Sequence, residues 1–268
     1  MIHRDNLQNG QLSNASFERR SKRSCLSAVH IFLVIAVFFT AVAPLLCQDD
    51  IEAIRNELSK CMRSPNRDNF QRYQESNQEW KRRIARNPKA KRLVFLGDSI
   101  TDRWKLEKHF NNPSYINRGI DGQITGQMLA RFKQDVIDLN PEVVIILGGA
   151  NDMSFGFTDE AIRNNLSMMC QLAQFNSIKP ILASILPIND YHRKLSDQLP
   201  PHRIAAINQW IRSYASEHHI GYLDYFSQVV DQDGFLGREL SDDGVHPNEK
   251  GYQIMAAYAR AEIKKYVH

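Results

Sequence analysis

The 268-residue chain is poor in cysteine and has no closely spaced cysteine pair. Its four cysteines are Cys25, Cys47, Cys61 and Cys170, and none of them form the Cys-x-x-Cys spacing of a structural zinc site, which argues against such a site. Only Cys61 and Cys170 lie clearly outside an apolar segment near the N-terminus. In an oxidising compartment these two could form a disulfide; two unpaired thiols are the alternative, and the sequence leaves the choice open.

The chain also has little net charge outside residues 1–27. The chain has a formal net charge of +4, but residues 1–27 hold five basic and two acidic side chains, which leaves only +1 for the rest. This balance does not support the basic surface expected of a nucleic-acid-binding protein. Internal repeats and low-complexity tracts are absent too, and a hydrophobic fraction of 43% is enough for a substantial core.

What the sequence does contain is a long apolar segment directly behind a basic cluster. The cluster "RRSKR" is followed by residues 28–46, "AVHIFLVIAVFFTAVAPLL". A positive region and then an apolar region is typical of a signal peptide or signal anchor, here residues 28–47. We therefore predict that residues 1–27 are a basic cytoplasmic region and that the chain after residue 47 is exported.

The sequence does not decide whether this leader is cut. Ala41-Val42-Ala43 has the small-x-small pattern of a cleavage site, but Pro44 follows it. A cut chain would be secreted or periplasmic. An uncut chain would be anchored in the membrane through residues 28–46, with the following domain outside the cytoplasm.

Residues 48–90 are polar and helical in character and form a predicted N-terminal extension. Within residues 68–86 one helical face is apolar, with Asn77 interrupting it. The apolar members of that face are Phe70, Tyr73, Trp80 and Ile84. The pattern predicts a helix that packs against the following domain; a stalk is the alternative.

Beyond residue 90, short apolar segments alternate with longer helical patterns. Unbroken apolar runs are typical of parallel strands that are covered on both faces. The alternation predicts a three-layer α/β/α domain over residues 91–268, with its chemistry at the carboxyl ends of the strands. The predicted strands are residues 92–97, 114–119, 142–149, 179–187 and 220–226, and the predicted helices are residues 122–139, 158–175, 201–219 and 248–266.

A serine, Ser99, stands directly after the first predicted strand in "VFLGDSITDRW". A serine hydroxyl is a weak nucleophile without a neighbouring base. Among the nine histidines His246 is the best candidate, because Asp243 precedes it by three residues in "SDDGVHPNEKGY". A carboxylate there would orient the imidazole and stabilise its protonated form. Asp-x-x-His alone is common, so an ordinary loop is the competing interpretation.

A serine that attacks a carbonyl group also needs donors for the negative charge that develops on the carbonyl oxygen. Three candidates follow predicted strands: the amide of Asn151 in "GGAND", the backbone N–H of Gly122 in "NRGIDGQIT", and the backbone N–H of Ser99. A glycine at a helix N-terminus can present its N–H to an anion. Considered singly, each residue has an ordinary structural explanation: Gly122 would allow the chain to turn, and Asn151 would cap a helix.

In combination these segments resemble the SGNH hydrolase superfamily, also called GDSL-type esterases and lipases. That family has four blocks in a fixed order, and here they read "GDSIT" (97–101), "NRGIDGQIT" (117–125), "GGAND" (148–152) and "DDGVH" (242–246). The resemblance covers residues 91–268. It implies a flavodoxin-like sandwich with five parallel strands in the order 2-1-3-4-5.

The resemblance also implies a role for each matching residue. Ser99 would be the nucleophile and, together with Gly122 and Asn151, a donor to the oxyanion. His246 would be the base and Asp243 its orienter. Such a reaction needs no metal and no organic cofactor, and neither is expected.

The resulting prediction is an exported serine carboxylic-ester hydrolase that acts through an acyl-enzyme on a small or short-acyl ester. The resemblance is nearest to the lysophospholipase-like and platelet-activating-factor-acetylhydrolase-like branches, which implies a lysophospholipid-like or acetyl ester. A carbohydrate O-deacetylase of the same fold is an alternative. A non-catalytic glycan- or lipid-binding module is a weaker alternative, because the complete set of catalytic residue types argues against it. A flavin carrier shares the predicted topology, which does not exclude it because one fold supports many functions.

Residues 186–201, "LPINDYHRKLSDQLPP", follow the fourth predicted strand and are predicted to line the substrate site. The segment contains charged and aromatic side chains and few large apolar ones, which favours a polar or small substrate. A solvated loop is the alternative interpretation. The sequence makes no prediction of the oligomeric state.

Overall fold

The computed structural model describes residues 69–267, in which five parallel strands form one sheet. The strands lie in the order β2-β1-β3-β4-β5, as predicted. Strand order reverses beside β1, and in sheets of this kind the crevice at the reversal is the usual place for a site. The strands are β1 (Leu93–Gly97), β2 (Tyr115–Gly119), β3 (Val143–Leu147), β4 (Lys179–Ala183) and β5 (Gly221–Leu223).

Helices cover both faces of the sheet. They are α1 (Gln74–Arg86), α2 (Ser99–Asp102), α3 (Leu106–Phe110), α4 (Thr125–Ala130), α5 (Phe132–Asp135), α6 (Ala150–Ser154), α7 (Asp159–Phe175), α8 (Pro201–Glu217), α9 (Tyr225–Val229) and α10 (Glu249–Ile263). Two 3₁₀ turns span Ile137–Leu139 and Arg238–Leu240. The predicted helices over 158–175, 201–219 and 248–266 correspond to α7, α8 and α10.

Alternate residues of β1 enter two apolar clusters, one on each face of the sheet. Val94 and Leu96 belong to one cluster, and Leu93 and Phe95 belong to the other. All four are at most 2% exposed. The unbroken apolar runs of the sequence therefore reflect a sheet that is buried on both sides, and the predicted sandwich is confirmed.

The predicted strand 179–187 is too long at its carboxyl end. Beyond Ala183 the chain stays buried but leaves the sheet, because the backbone of Ile185 pairs with a side chain instead of a strand. Asn208 of α8 donates to the Ile185 carbonyl and accepts from its N–H, each at 2.8 Å. Burial alone therefore gave no signal of where β4 ends.

The predicted continuous helix over residues 122–139 is wrong. The segment forms α4, α5 and a 3₁₀ turn, with Val136 at a non-helical φ of −128°. The apolar period that suggested one helix is nevertheless real, since Met128, Phe132 and Leu139 are all fully buried. The three short helical segments therefore bury the same apolar residues that one continuous helix was expected to bury.

Helix α1 begins at Gln74 rather than at residue 68 and packs against the sheet domain, as its apolar face predicted. Trp80 and Ile84 contact the core cluster. Asn77, the polar interruption, is buried: its Nδ2 donates to Asp135 Oδ1 at 2.6 Å, and its Oδ1 accepts from Arg118 Nη2 at 2.7 Å. A buried amide on this face is thus matched by buried charged partners.

Several predictions fall outside the described residues. They concern residues 1–27, the leader 28–47 and residues 48–68. The proposed boundaries of these regions and the cleavage of the leader therefore stay predictions. Within residues 69–267 no helix is long and apolar enough to cross a membrane. Cys170 is a free, buried thiol whose pKa burial raises to about 12, whereas its candidate partner Cys61 lies outside the described part.

Gly119, at the end of β2, lies directly against the backbone of α2. A Cβ at Gly119 would come within 2.0 Å of Asp102 N and 2.5 Å of Thr101 C. We expect Gly119→Ala to lower the free energy of unfolding by about 3 kcal/mol, the upper end of what overpacking costs, because backbone must move. Urea unfolding measures this change.

Gly126→Ala is the matched control. Gly126 lies in α4, and a Cβ there would have its nearest neighbour at 3.6 Å, the Asn165 amide. Alanine should be neutral or slightly stabilising at this position, since it is the better helix former. Equal stabilities of the two variants would contradict the close approach at Gly119.

Candidate active site

The chain turns sharply from β1 into α2, and Ser99 is the first residue of that helix. The Asp98 carboxylate caps the helix by accepting from the Ile100 N–H at 3.0 Å. A side chain at Gly97 would not fit, because a Cβ would lie 2.1 Å from Thr101 Oγ1 and 2.7 Å from the Leu147 carbonyl. The turn therefore holds Ser99 at the carboxyl edge of the sheet.

The structure brings His246 into contact with Ser99, although 147 residues separate them in the sequence. His246 Nε2 lies 2.8 Å from Ser99 Oγ, and His246 Nδ1 lies 2.6 Å from Asp243 Oδ2. When Nδ1 carries the ring proton and donates a hydrogen bond to Asp243, Nε2 is free to accept the hydroxyl proton. The neighbouring Asp242 instead accepts from the Asn248 amide at 3.2 Å.

The loop that carries His246 is shaped around the Asp243 carboxylate. Its Oδ1 accepts from the backbone N–H of Val245 at 2.9 Å and of His246 at 2.8 Å, and Gly244 has a φ of +86°. Burial favours the neutral acid, but the hydrogen bonds from the His246 ring and from both N–H groups outweigh it. They hold the pKa of Asp243 well below its usual range, so this carboxylate stays ionised beside the imidazole.

The loops after β2 and β3 meet beside this turn. Asn151 Nδ2 donates to the Gln123 carbonyl at 3.0 Å, which joins the predicted donor Asn151 to the residue after Gly122. Gly122 has a φ of +75°, a backbone conformation that glycine adopts without strain. The predicted donor residues thus lie shortly after three adjacent strands, Ser99 and Asn151 in the first turns of helices and Gly122 in the turn after β2, and their role in catalysis stays a prediction.

A family model described as GDSL-like Lipase/Acylhydrolase family matches residues 95–254, more than half of the chain. The chain belongs to this family. GDSL family members are ester-hydrolysing enzymes, so the predicted class of enzyme is confirmed.

Relatives of known structure or name agree with this assignment. The crystal structure of a GDSL-like lipase from Bacteroides thetaiotaomicron is similar to 75% of this chain and 99% of that chain, at 34% identity and a TM-score of 0.67. An arylesterase of Vibrio mimicus is 25% identical over 68% of this chain and 93% of its own length. The thioesterase 1/protease 1/lysophospholipase L1 of Escherichia coli K12 is 24% identical over 67% of this chain and 86% of its own.

Two charged residues of this GDSL protein border the site without having been singled out from the sequence. Asp152, in α6 just after β3, is buried and accepts from Thr125 N at 2.9 Å and from Thr125 Oγ1 at 2.5 Å, which joins α6 to α4. Arg103 Nη1 lies 3.9 Å from Asp243 Oδ2. Asp152 lies within the "GGAND" block, so its position was a signal in the sequence, whereas Arg103 lies two residues after the "GDSIT" block and had only its closeness to Ser99.

The segment 186–201 contacts the loop that carries His246. The N–H of Asn189 donates to the Gly244 carbonyl at 2.9 Å, and its side chain donates to the Leu236 carbonyl at 2.9 Å. Asn189 is fully buried, whereas Tyr191 is 41% exposed under the guanidinium of Arg238. One part of this segment therefore supports the loop at the site, and another part faces solvent.

Among residues 69–267 no group of three or more His, Cys, Asp or Glu side chains is arranged to hold a metal ion. The expectation that the reaction needs no metal and no cofactor stays a prediction.

The pH dependence of stability tests the environment of Asp98, directly before Ser99. Burial raises the pKa of its carboxyl to about 6, although the Ile100 N–H favours the charged form. Since folding favours the protonated acid, this contribution to stability is complete below about pH 4 and is lost as the pH rises through 6. Relative to the wild type, Asp98→Asn should gain about 2–3 kcal/mol between pH 4 and pH 7.5, because asparagine stays neutral.

Urea unfolding at both pH values measures this gain, with the exposed Asp197→Asn as the matched control. A difference between Asp98→Asn and the wild type that stays constant with pH would contradict the buried-acid interpretation.

Proposed function

We propose that this protein is an exported serine esterase that hydrolyses small or short-acyl esters through an acyl-enzyme on Ser99. The observation that carries the proposal is the line of hydrogen bonds from the Ser99 hydroxyl through His246 to Asp243, with lengths of 2.8 and 2.6 Å. A hydroxyl, a base and an acid that orients the base are what nucleophilic catalysis by serine requires.

In the first half-reaction Ser99 Oγ bonds to the substrate carbonyl carbon while its proton passes to His246 Nε2. The ionised Asp243 stabilises the imidazolium that forms. The imidazolium then protonates the departing oxygen, the bond from the carbonyl carbon to that oxygen breaks, and the alcohol leaves. The acyl group remains on Ser99.

In the second half-reaction water takes the place of the alcohol. His246 removes a proton from the water as it attacks the acyl carbon, and then returns that proton to Ser99 Oγ. The carboxylic acid leaves and the hydroxyl is restored. Both half-reactions pass through a tetrahedral anion, so both depend on the same donors.

The proposed donors are the backbone N–H groups of Ser99 and Gly122 and the amide of Asn151. The Asn151 nitrogen carries two hydrogens, and its bond to the Gln123 carbonyl orients the group. Donors fixed before the reaction stabilise the developing charge without reorganisation, which is the reason they contribute so much to the rate.

The proposal of a small or polar substrate is supported by the burial of the large apolar side chains in segment 186–201. They are buried in the two core clusters, so they offer no surface to a long acyl chain. They are Leu186, Ile188, Leu195 and Leu199, each at most 5% exposed. Apart from Pro201, the exposed residues of the segment are polar or aromatic, among them Tyr191, His192, Arg193 and Lys194.

The export part of the proposal is supported by the sequence alone. Residues 28–46 form an apolar segment behind a basic cluster, and leaving so much apolar surface in water is unfavourable. Cell fractionation of the C-terminally tagged full chain, with its mass compared with 30.9 kDa, tests export and cleavage together.

Ser99→Ala tests the reaction directly. It should lower kcat for p-nitrophenyl acetate by about 10⁶, as loss of a serine nucleophile does in a comparable hydrolase, and leave the fold intact. Ser167→Ala is the matched control, since Ser167 lies outside the four sequence blocks and its hydroxyl bonds to the Asn164 carbonyl within α7. Unchanged hydrolysis by purified, folded Ser99→Ala would exclude the proposed mechanism.

The substrate class requires a panel of esters with the wild type. A series of p-nitrophenyl esters should show the highest kcat/KM for the shortest acyl groups. Preference for acetylated sugars over these esters would support the O-deacetylase alternative. Binding of glycan or lipid without hydrolysis of any ester would support the non-catalytic alternative.

A further inference from the structure

A fully buried arginine lies directly behind the carboxyl edge of the sheet. Arg131 follows α4, is outside all four sequence blocks, and has no exposed surface. A buried guanidinium is costly unless its N–H groups are bonded and its charge is paired. The groups that the Arg131 guanidinium contacts therefore indicate its role.

The Arg131 guanidinium bonds to the ends of β1 and β2 and to the turn that follows β2. Its Nη2 donates to the Gly97 carbonyl at 3.1 Å and to the Arg118 carbonyl at 2.8 Å. Its Nε donates to Gln123 Oε1 at 2.6 Å. One planar group thus links the end of β1, the end of β2 and the residue after Gly122.

These partners are neighbours of the proposed oxyanion donors. Gly97 is two residues before Ser99, and its carbonyl also accepts from the Ile120 N–H at 3.1 Å. Gln123 follows Gly122, and its own carbonyl accepts from Asn151 Nδ2 at 3.0 Å. Arg131 consequently bonds to the backbone two residues before Ser99 and to the side chain of Gln123, whose own carbonyl accepts from the Asn151 amide.

The other side of the guanidinium is held in place by α1 and α5. Arg131 Nη1 donates to Asp135 Oδ2 at 3.0 Å, and Asp135 Oδ1 accepts from Asn77 at 2.6 Å. Asn77 also accepts from Arg118 Nη2 at 2.7 Å. Arg131, Asp135 and Arg118 are each at most 2% exposed, so water does not compete for these bonds.

We propose that Arg131 is a positioning residue that sets the spacing of the oxyanion donors, with Asp135 and Asn77 fixing its orientation. The proposal rests on the proposed function, since it assigns a role within that site. The planar guanidinium fork donates in several fixed directions, which a lysine ammonium on a flexible stem does not reproduce. Donor placement matters because a misplacement of about 1 Å in a site lowers the rate by roughly 10²-fold.

Arg131→Lys tests this role. The lysine ammonium keeps a positive charge beside Asp135. It does not bond at the same time to the oxygens of Gly97, Arg118 and Gln123, as the guanidinium does. We expect kcat for p-nitrophenyl acetate to fall roughly 10–100-fold, less than the 10²–10³-fold effect of deleting an oxyanion donor, with KM changed by less than about twofold.

Arg92→Lys is the matched control. Arg92 is also a buried arginine, 5% exposed, and donates to backbone carbonyls, among them Leu139 at 3.2 Å and Asn140 at 3.1 Å. It precedes β1 and so lies at the opposite, amino edge of the sheet. Both variants should lose stability, but only Arg131→Lys should lose kcat.

Inhibition by phenylboronic acid separates positioning from a general structural effect. The boron bonds to Ser99 Oγ, whose proton passes to His246, and the adduct is a tetrahedral anion that uses the same donors. Its inhibition constant should rise by the same factor as kcat falls in Arg131→Lys and stay unchanged in Arg92→Lys. If Arg131→Lys does not fold, Gln123→Met provides the test, because it removes the Arg131–Gln123 bond and keeps the Arg131–Asp135 pair.

The proposal is overturned if the folded variant keeps wild-type kcat, or if kcat falls while the boronic acid binds as before. That result would leave the proposed function standing, provided that Ser99→Ala is inactive. Activity in Ser99→Ala would overturn the proposed function itself.

Discussion

The site depends on the register of three parallel strands. Gly97 of β1 lies level with Gly119 of β2 and with Leu147 of β3, so the chain leaves three neighbouring strands at one height. The three segments that follow these strands begin side by side, and each carries one of the residues proposed to bind the oxyanion. The close approach of α2 to the end of β2 requires the absence of a side chain at Gly119.

Buried polar groups keep these loops in place. Asp152 joins the loop after β3 to Thr125, and Arg131 joins the ends of β1 and β2. Each bond satisfies a group that would be costly to bury alone, so these loops are cross-linked by side chains in the interior. Electrostatic catalysis by fixed donors needs this kind of rigidity, because donors that must first be oriented lose part of their effect.

Much of the fold followed from local sequence patterns. Five apolar segments predicted a parallel sheet, and the resemblance carried by the four blocks implied its strand order, which the structure confirms. The three-residue spacing of Asp243 and His246 predicted their contact, because a short loop keeps the two side chains close together. The end of β4 was missed because Ile185 stays buried after it leaves the sheet. Its backbone partner is the side chain of Asn208, which no local pattern reveals.

The supporting network was also beyond local patterns. Asn77 was recognised only as an interruption of an apolar face, and Arg131 only as part of a helix. Asp135 stands only four residues after Arg131, but the bond from Asn77 to Asp135 and the bonds from Arg131 to the ends of β1 and β2 are apparent only when α1, α5 and the sheet are assembled. Long-range hydrogen bonds between polar residues leave no periodic signal, whereas apolar burial does.

The central claim is that Ser99 is a nucleophile activated by His246, and covalent labelling tests it most directly. Wild-type protein would be treated with diethyl p-nitrophenyl phosphate, which transfers a diethylphosphoryl group to an activated serine and releases p-nitrophenol. Mass spectrometry of the digested protein should then find one adduct per chain, on Ser99, and the labelling rate should collapse in His246→Ala. An adduct on another residue, or labelling of Ser99 that does not depend on His246, would contradict the account.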